Sequence, residues 1–317
     1  MIDVEHVTKL YGSYIAVEDI SFQVHKGEIL GFLGPNGAGK TTTMRMLTGY
    51  MPPTSGDITI AGKNMFSESL EARRHVGYLP ETVPLYTDMT VRGYLEFQAT
   101  IHGMKNPKKR ARIDEVIDRL NLNEYADSLI SKLSKGYRQR VGIAQAVIHE
   151  PEVVIMDEPT IGIDPIQVVE TRQLIKDLGK DHTIILSTHI LPEVSMVCQR
   201  VIIINEGHVA AIDTPENLST RIGGVERVRL VVRGPAREIA AFLRDTGGVQ
   251  TVDWENTSTE GAFRFNVECR LGRDARPLMA AGIVQRKWDL LELQPVGLSL
   301  EDIFLQLTTK EELDTNA

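Results

Sequence analysis

The sequence predicts an α/β fold for the larger, N-terminal part of the chain and a small α+β unit for the remainder. Three observations carry this. A glycine-rich loop, GFLGPNGAGKTT at 31–42, lies between an apolar run and a helical stretch. Continuous apolar or β-branched runs at 153–156, 183–187 and 201–205 alternate with stretches of helical period, the pattern of parallel strands buried on both faces. Beyond about Arg221 the texture changes to strand, helix, two strands, helix and strand, the order of a ferredoxin-like unit.

Taken in chain order, residues 2–7, 19–24 and 57–61 alternate as short strands, with turns at Gly12 and Gly56. Glu28 to Leu33 is a short apolar run, and Thr42 to Leu47 contains no helix breaker before Gly49. The loop between them carries Gly34, Gly39, Lys40 and Thr41 at the spacing G-x-x-x-x-G-K-[ST], the P-loop of nucleotide-binding proteins. Gly34, Gly37 and Gly39 let the backbone turn tightly, so that successive N–H groups point at phosphate oxygens. With Pro35, Asn36, Ala38 and Thr42 they form the expected cradle for the phosphates of a nucleotide, which the loop alone does not identify. Lys40 is expected to reach the β and γ phosphates and Thr41 to ligate Mg²⁺, with the helix N-terminus adding a favourable dipole.

Between about 91 and 150 apolar residues recur at three-to-four spacing, which predicts helices over Val91 to His102, Ile113 to Leu120 and Tyr137 to His149. The run VVIMDEPT at 153–160 then ends a buried strand on Asp157, a second expected Mg²⁺ ligand. Glu158 follows, placed to polarise an attacking water. In LSKGYRQRVGIAQA at 133–146, Ser134 and Gly136 open an amphipathic helix and offer a second anion site at its N-terminus. One nucleotide does not need two such sites from one chain.

Taken together, the loop, the Asp157-Glu158 pair and the LSKGY segment resemble the ATP-binding cassette (ABC) family over roughly residues 2–220. The resemblance implies a mixed sheet with a helical subdomain at about 85–150, and the change of texture after Arg221 sets the expected domains at 1–221 and 222–317. It implies ATP hydrolysis in a head-to-tail dimer, a homodimer or a heterodimer with a paralogue, in which Ser134 and Gly136 of one subunit close on the other subunit's nucleotide. It also assigns Tyr11 to stacking on adenine, Asp164 to the loop that crosses the dimer, and His189 to the γ-phosphate. With Lys40 and Glu158, His189 completes the expected catalytic set.

Two positions depart from the usual family pattern. Glu81 stands where glutamine is common, still a hard oxygen ligand for Mg²⁺, and Lys135 stands where the signature has glycine. Both variants, and the ending PVGLSLEDIFLQLT at 295–308, look like the branch that pairs with separate exporter permeases, including the gliding-motility, multidrug and sodium-efflux types. The expected function is therefore the ATPase subunit of an exporter, peripheral on the inner face of the cell membrane, with a permease helix docking within residues 81–103.

Composition bounds the alternatives. The 317 residues, with 35 basic and 43 acidic side chains and net charge −8, argue against broad nucleic-acid binding. No apolar stretch suggests a membrane span or a signal peptide, which predicts a cytoplasmic chain. Cys198 and Cys269 lack metal or disulfide spacing and are expected as reduced structural thiols. The basic run KNPKKRAR at 105–112 reads as a solvated face. A soluble ABC ATPase doing mechanical work on a non-membrane partner is the alternative, disfavoured because Lys40 and Ser134 are too close in sequence for a coiled-coil insertion. In the C-terminal part, strands at 225–232, 249–254, 262–268 and 284–293 and helices at 235–245 and 273–281 precede a last amphipathic helix, Leu300 to Leu307.

Overall fold

The computed structural model describes residues 1–221, 225–257, 259–270 and 274–296. The chain forms two compact units, Met1–Pro215 and Glu216–Ala317. The expected helix from Leu300 to Leu307 lies outside the described residues.

In the first unit, β1 (Ile2–Tyr11) and β2 (Tyr14–Val24) form an antiparallel hairpin. They are followed by β3 (Ile29–Leu33), α1 (Lys40–Leu47), β4 (Ser55–Ile60), β5 (Lys63–Asn64), α2 (Ser69–Arg74) and β6 (Val76–Leu79). The sheet β2-β1-β4-β5 is antiparallel throughout. The first two strands are longer than the sequence suggests. Register shifts between Val4 and Val7 and beyond, with His6 and Asp19 at φ of 51° and 47°, break the alternation that would have marked them as continuous.

Three helices come next: α3 (Val91–Ile101), α4 (Lys108–Arg119) and α5 (Lys135–Val147). Thr90 and Ser134 cap α3 and α5 by accepting from the N–H groups of Gly93 and Tyr137. The basic run at 105–112 enters α4 and is mostly exposed. Arg112 is the exception: it is buried, donating to the Val147 and Ile148 carbonyls at the C-terminal end of α5.

The remainder of the unit is β7 (Val153–Asp157), α6 (Pro165–Leu178), β8 (Thr183–Thr188), α7 (Leu191–Val197), β9 (Arg200–Asn205) and β10 (His208–Asp213), with α8 (Pro215–Arg221) at the junction. The second sheet runs β10-β9-β3-β8-β7-β6, parallel except for β10. Every residue of β3, β7 and β8 is buried, which is why these strands read as largely apolar or β-branched runs rather than alternating ones. Pairing of Leu33 with Thr188 and of Asp157 with Ser187 brings the ends of the three strands to one edge, where α/β sheets bind their ligands.

The second unit contains β11 (Val225–Arg233), α9 (Ala236–Asp245), β12 (Val249–Asn256), β13 (Ala262–Arg270), α10 (Arg276–Gln285) and β14 (Asp289–Val296). Its antiparallel sheet has the order β12-β13-β11-β14, the arrangement of a ferredoxin-like unit. Ile239 and Leu243 of α9 and Met279 and Ile283 of α10 pack with Leu230, Phe265 and Val267 of the sheet. Cys198 and Cys269 are both buried thiols, as expected of structural cysteines.

Candidate active site

Beyond β3 the chain turns through Gly34 to Gly39 into α1, and two of these glycines are required by space. A Cβ on Gly34 would stand 2.5 Å from the Ile204 carbonyl oxygen. At Gly39 the backbone has φ of 103° and a Cβ would stand 2.7 Å from the Ala16 carbonyl oxygen. Gly39 caps α1 without a side-chain bond, so the first N–H groups of the helix are left for a ligand. Lys40 opens that helix and is buried, its Nζ donating to the carbonyls of Gly34 and Pro35 at 2.7 and 3.0 Å.

The loop walls a cavity of about 530 Å³. Asn36, Gly37, Gly39, Lys40, Thr41 and Thr42 line one side, Glu81, Glu158, Ile161 and His189 another, and Tyr11, Tyr14 and Ala16 the hairpin side. The size suits a nucleotide-scale ligand. Tyr11 and Tyr14 pair across the hairpin, are both partly exposed and line the cavity on that side, with the Lys9 ammonium 5.5 Å from the Tyr11 ring centroid. The family pattern points to Tyr11 but not to Tyr14, because strand-like alternation stops short of the Gly12-Ser13 turn. A hairpin assigned there would have paired the two.

Opposite the loop, Glu158 follows β7 with φ of 51°, an uncommon conformation for a non-glycine residue, held by its N–H donating to the Ser187 carbonyl at 3.0 Å. Its carboxylate lies 2.9 Å from Nδ1 of His189 through both oxygens and 3.8 Å from Nζ of Lys40. Burial raises the Glu158 pKa, while the His189 hydrogen bond and the Lys40 charge oppose that shift. Burial likewise lowers the Lys40 pKa, against the pull of Glu158, Asp157 and Glu81. A buried carboxylate with a raised pKa, hydrogen-bonded to a half-exposed imidazole beside a lysine, is equipped for proton transfer.

Asp157 ends β7 almost fully buried. One oxygen accepts from the Ser187 hydroxyl, and the other has no partner. Thr41 and Glu81 line the cavity whereas Asp157 is not among its lining residues; all three offer oxygen, the donor chemistry that suits a hard divalent cation such as Mg²⁺.

Ser134 and Gly136 do not line this cavity. They open α5 elsewhere, beside the start of α6: a Cβ on Gly136 would overlap the Gln167 side chain, and the Lys135 ammonium lies against Gly162. Asp164 caps α6, accepting from the Gln167 N–H at 3.1 Å, with Pro165 in the first turn. The two expected anion sites of one chain are therefore separate surfaces.

The sequence profile described as ABC transporter matches residues 17–161. Over 311 residues the chain is 34% identical to the linearmycin resistance ATP-binding protein LnrL of Bacillus subtilis (strain 168), covering 97% of this chain and 98% of that protein. It is 35% identical over 318 residues to the Nod factor export ATP-binding protein I of Paraburkholderia xenovorans (strain LB400), covering 99% and 98% of the two chains. Among solved structures, a dimeric ATP-binding cassette in a post-hydrolysis state bound to ADP and Pi matches with a TM-score of 0.62 and 25% identity, over 68% of this chain and 98% of that one. The chain belongs to the family of ABC transporter ATP-binding proteins, and its first unit is an ABC ATPase domain.

Proposed function

We propose that, as a member of that family, this chain is the motor subunit of an exporter, hydrolysing ATP in a head-to-tail dimer that drives a separate membrane permease. The observation that carries the proposal is the division of the site. Lys40, Glu158 and His189 meet at one cavity, while Ser134 and Gly136 lie on another surface, free to complete the cavity of a second subunit. The relatives named for linearmycin resistance and Nod factor export support the exporter role.

In this reading the loop N–H groups and Lys40 hold the phosphates, Tyr11 and Tyr14 take the adenine, and Thr41, Asp157 and Glu81 hold Mg²⁺. The cation would supply charge neutralisation across the phosphate oxygens. Glu158 orients water and accepts its proton as the oxygen attacks the γ-phosphorus and ADP departs. His189 holds Glu158 through Nδ1, which leaves Nε2 for the γ-phosphate. Among the described residues no helix is long and apolar enough to cross a membrane, so in this proposal the chain attaches to the inner face of the membrane through the permease. Within residues 81–103 the packing separates core from contact: Val91, Tyr94, Leu95 and Ala99 are buried, whereas Tyr86 and Ile101 are exposed and available to a permease helix. The ATPase domain would span 1–221 and an accessory domain 222–317.

Mixing subunits tests the composite site. Lys40→Ala and Ser134→Arg proteins should each be inactive alone and together regain at most one working site per dimer, read as phosphate release. Full activity of Ser134→Arg alone would overturn the proposal.

A further inference from the structure

Glu193 is a buried carboxylate that the scheme above leaves without a role. It lies in the first turn of α7, 1% exposed, and does not line the cavity. One of its oxygens accepts from the hydroxyl of Thr160 and the other from the hydroxyl of Thr188 at 2.8 Å. Arg172 of α6 brings Nη2 to 3.6 Å of the first oxygen. These partners belong to different segments of the catalytic apparatus. Thr160 is two residues beyond Glu158, in a turn where the Ile161 N–H donates to the Glu158 carbonyl at 3.2 Å. Thr188 precedes His189, and its hydroxyl oxygen also accepts from the Ile190 N–H at 3.0 Å, fixing the turn that carries the imidazole. Two segments from adjacent strands are thus tied to one carboxylate beneath the site.

Burying a carboxylate is costly unless its acceptors are filled. Here both oxygens are filled by hydroxyls from the segments that must keep Glu158 and His189 in register, and a cation from α6 stands alongside. A carboxylate serving only to join α7 to its neighbours would not require partners from both catalytic segments.

Resting on the assignment of Glu158 and His189 to hydrolysis, we infer that Glu193 is a positioning residue: it clips the 157–161 and 187–190 segments together and so maintains the 2.9 Å contact between the His189 imidazole and the Glu158 carboxylate. Arg172 couples the clip to α6, the helix that starts at Asp164. Misplacing reacting groups by about 1 Å costs on the order of 100-fold in rate, which sets the scale for loosening the clip.

The test uses the full chain carrying Glu193→Gln, which keeps the shape, and independently Thr160→Val, which removes one arm. Both should lower kcat for MgATP about 10- to 100-fold, with KM and nucleotide Kd within about threefold of wild type. In a His189→Ala background, either substitution should cost less than about twofold more, because the contact it protects is already gone. With ¹⁵N-labelled histidine, the Nδ1 signal of His189 hydrogen-bonded to Glu158 should be present in the wild type and lost in Glu193→Gln, a readout independent of turnover. Wild-type kcat in both folded variants, a matching rise in KM, full additivity with His189→Ala, or persistence of the signal would overturn the inference. Failure of the underlying assignment looks different: Glu158→Gln and His189→Ala would themselves hydrolyse at the wild-type rate.

Discussion

The two units of this chain treat charge in opposite ways. In the first, Lys40, Asp157, Glu158 and Glu193 are all at least nine-tenths buried, and three of them meet at or beside one cavity. In the second, the only buried polar side chain among the described residues is Thr246, whose hydroxyl donates to the Phe242 carbonyl at 3.0 Å. Among the described residues its ion pairs include Arg233 with Asp289, Arg264 with Glu255 and Arg276 with Asp274 at the surface, and Arg227 with Glu268 partly exposed. Both units are built from strands and helices over an apolar core, so architecture does not explain the contrast. Burial of charge costs several kcal/mol per ion unless it is compensated, and it persists where chemistry uses it. Arg112 guards against reading every buried charge as catalytic, because its guanidinium is consumed by helix-end carbonyls.

The largest effect expected from this contrast is at Glu158. Glu158→Gln keeps the shape and removes the proton acceptor, so phosphate release should fall about 100- to 10,000-fold while ATP still binds. Gel filtration with ATP should then show accumulated dimers. A rate near wild type would dissolve the distinction between the two units.

A smaller effect is expected at His149, also in the first unit and stacked on His102 with ring centroids 3.8 Å apart. Burial, and then the neighbouring His102, lowers its pKa to about 4. An unfolded imidazole titrates near the ordinary value of 6.5, so unfolding takes up a proton between about pH 6.5 and 4 and stability falls as the solution is acidified through that window. Measured as unfolding free energy, the difference between His149→Gln and wild type should move in the variant's favour by on the order of 2 kcal/mol from pH 7 to 4.5. A constant difference would contradict the burial argument.

The smallest effect belongs to the second unit. Arg264→Ala removes a 2.8 Å pair to Glu255 whose side chains are 42% and 57% exposed. It should change unfolding free energy by no more than about 1 kcal/mol and leave ATP hydrolysis unaltered. A loss of several kcal/mol would place hidden electrostatic weight in the unit that otherwise keeps its charges in water.

The contrast also accounts for what was legible in the sequence. The strands β3, β7 and β8 are legible because burial on both faces makes them continuous apolar or β-branched runs, and the β-α-β-β-α-β order of the second unit because glycines such as Gly234, Gly248 and Gly261 separate its elements. The hairpin β1–β2 was truncated because irregular register disrupts periodicity, and Tyr14 was lost with it. Thr160, Thr188 and Glu193 left no trace, since a threonine or a glutamate looks the same in sequence whether it is exposed or buried.

The sequence by itself determined the local devices: the glycines that bend the loop, the lysine and threonine that open α1, the carboxylates that end β7 and the serine that caps α5. Each acts through its own backbone neighbourhood, so spacing suffices to identify it. Only the tertiary structure decided that Glu158 and His189, separated by 31 residues, touch at 2.9 Å; that Ser134 does not line the cavity of its own chain agrees with what the sequence resemblance already implied. The contact depends on the register that pairs Asp157 with Ser187 and on a carboxylate from α7 beneath both segments. β7 and β8 are parallel and joined by a long crossover, so no tight turn pins their register, and because both are buried on both faces their side-chain pattern marks no core face either; packing across the whole unit sets it.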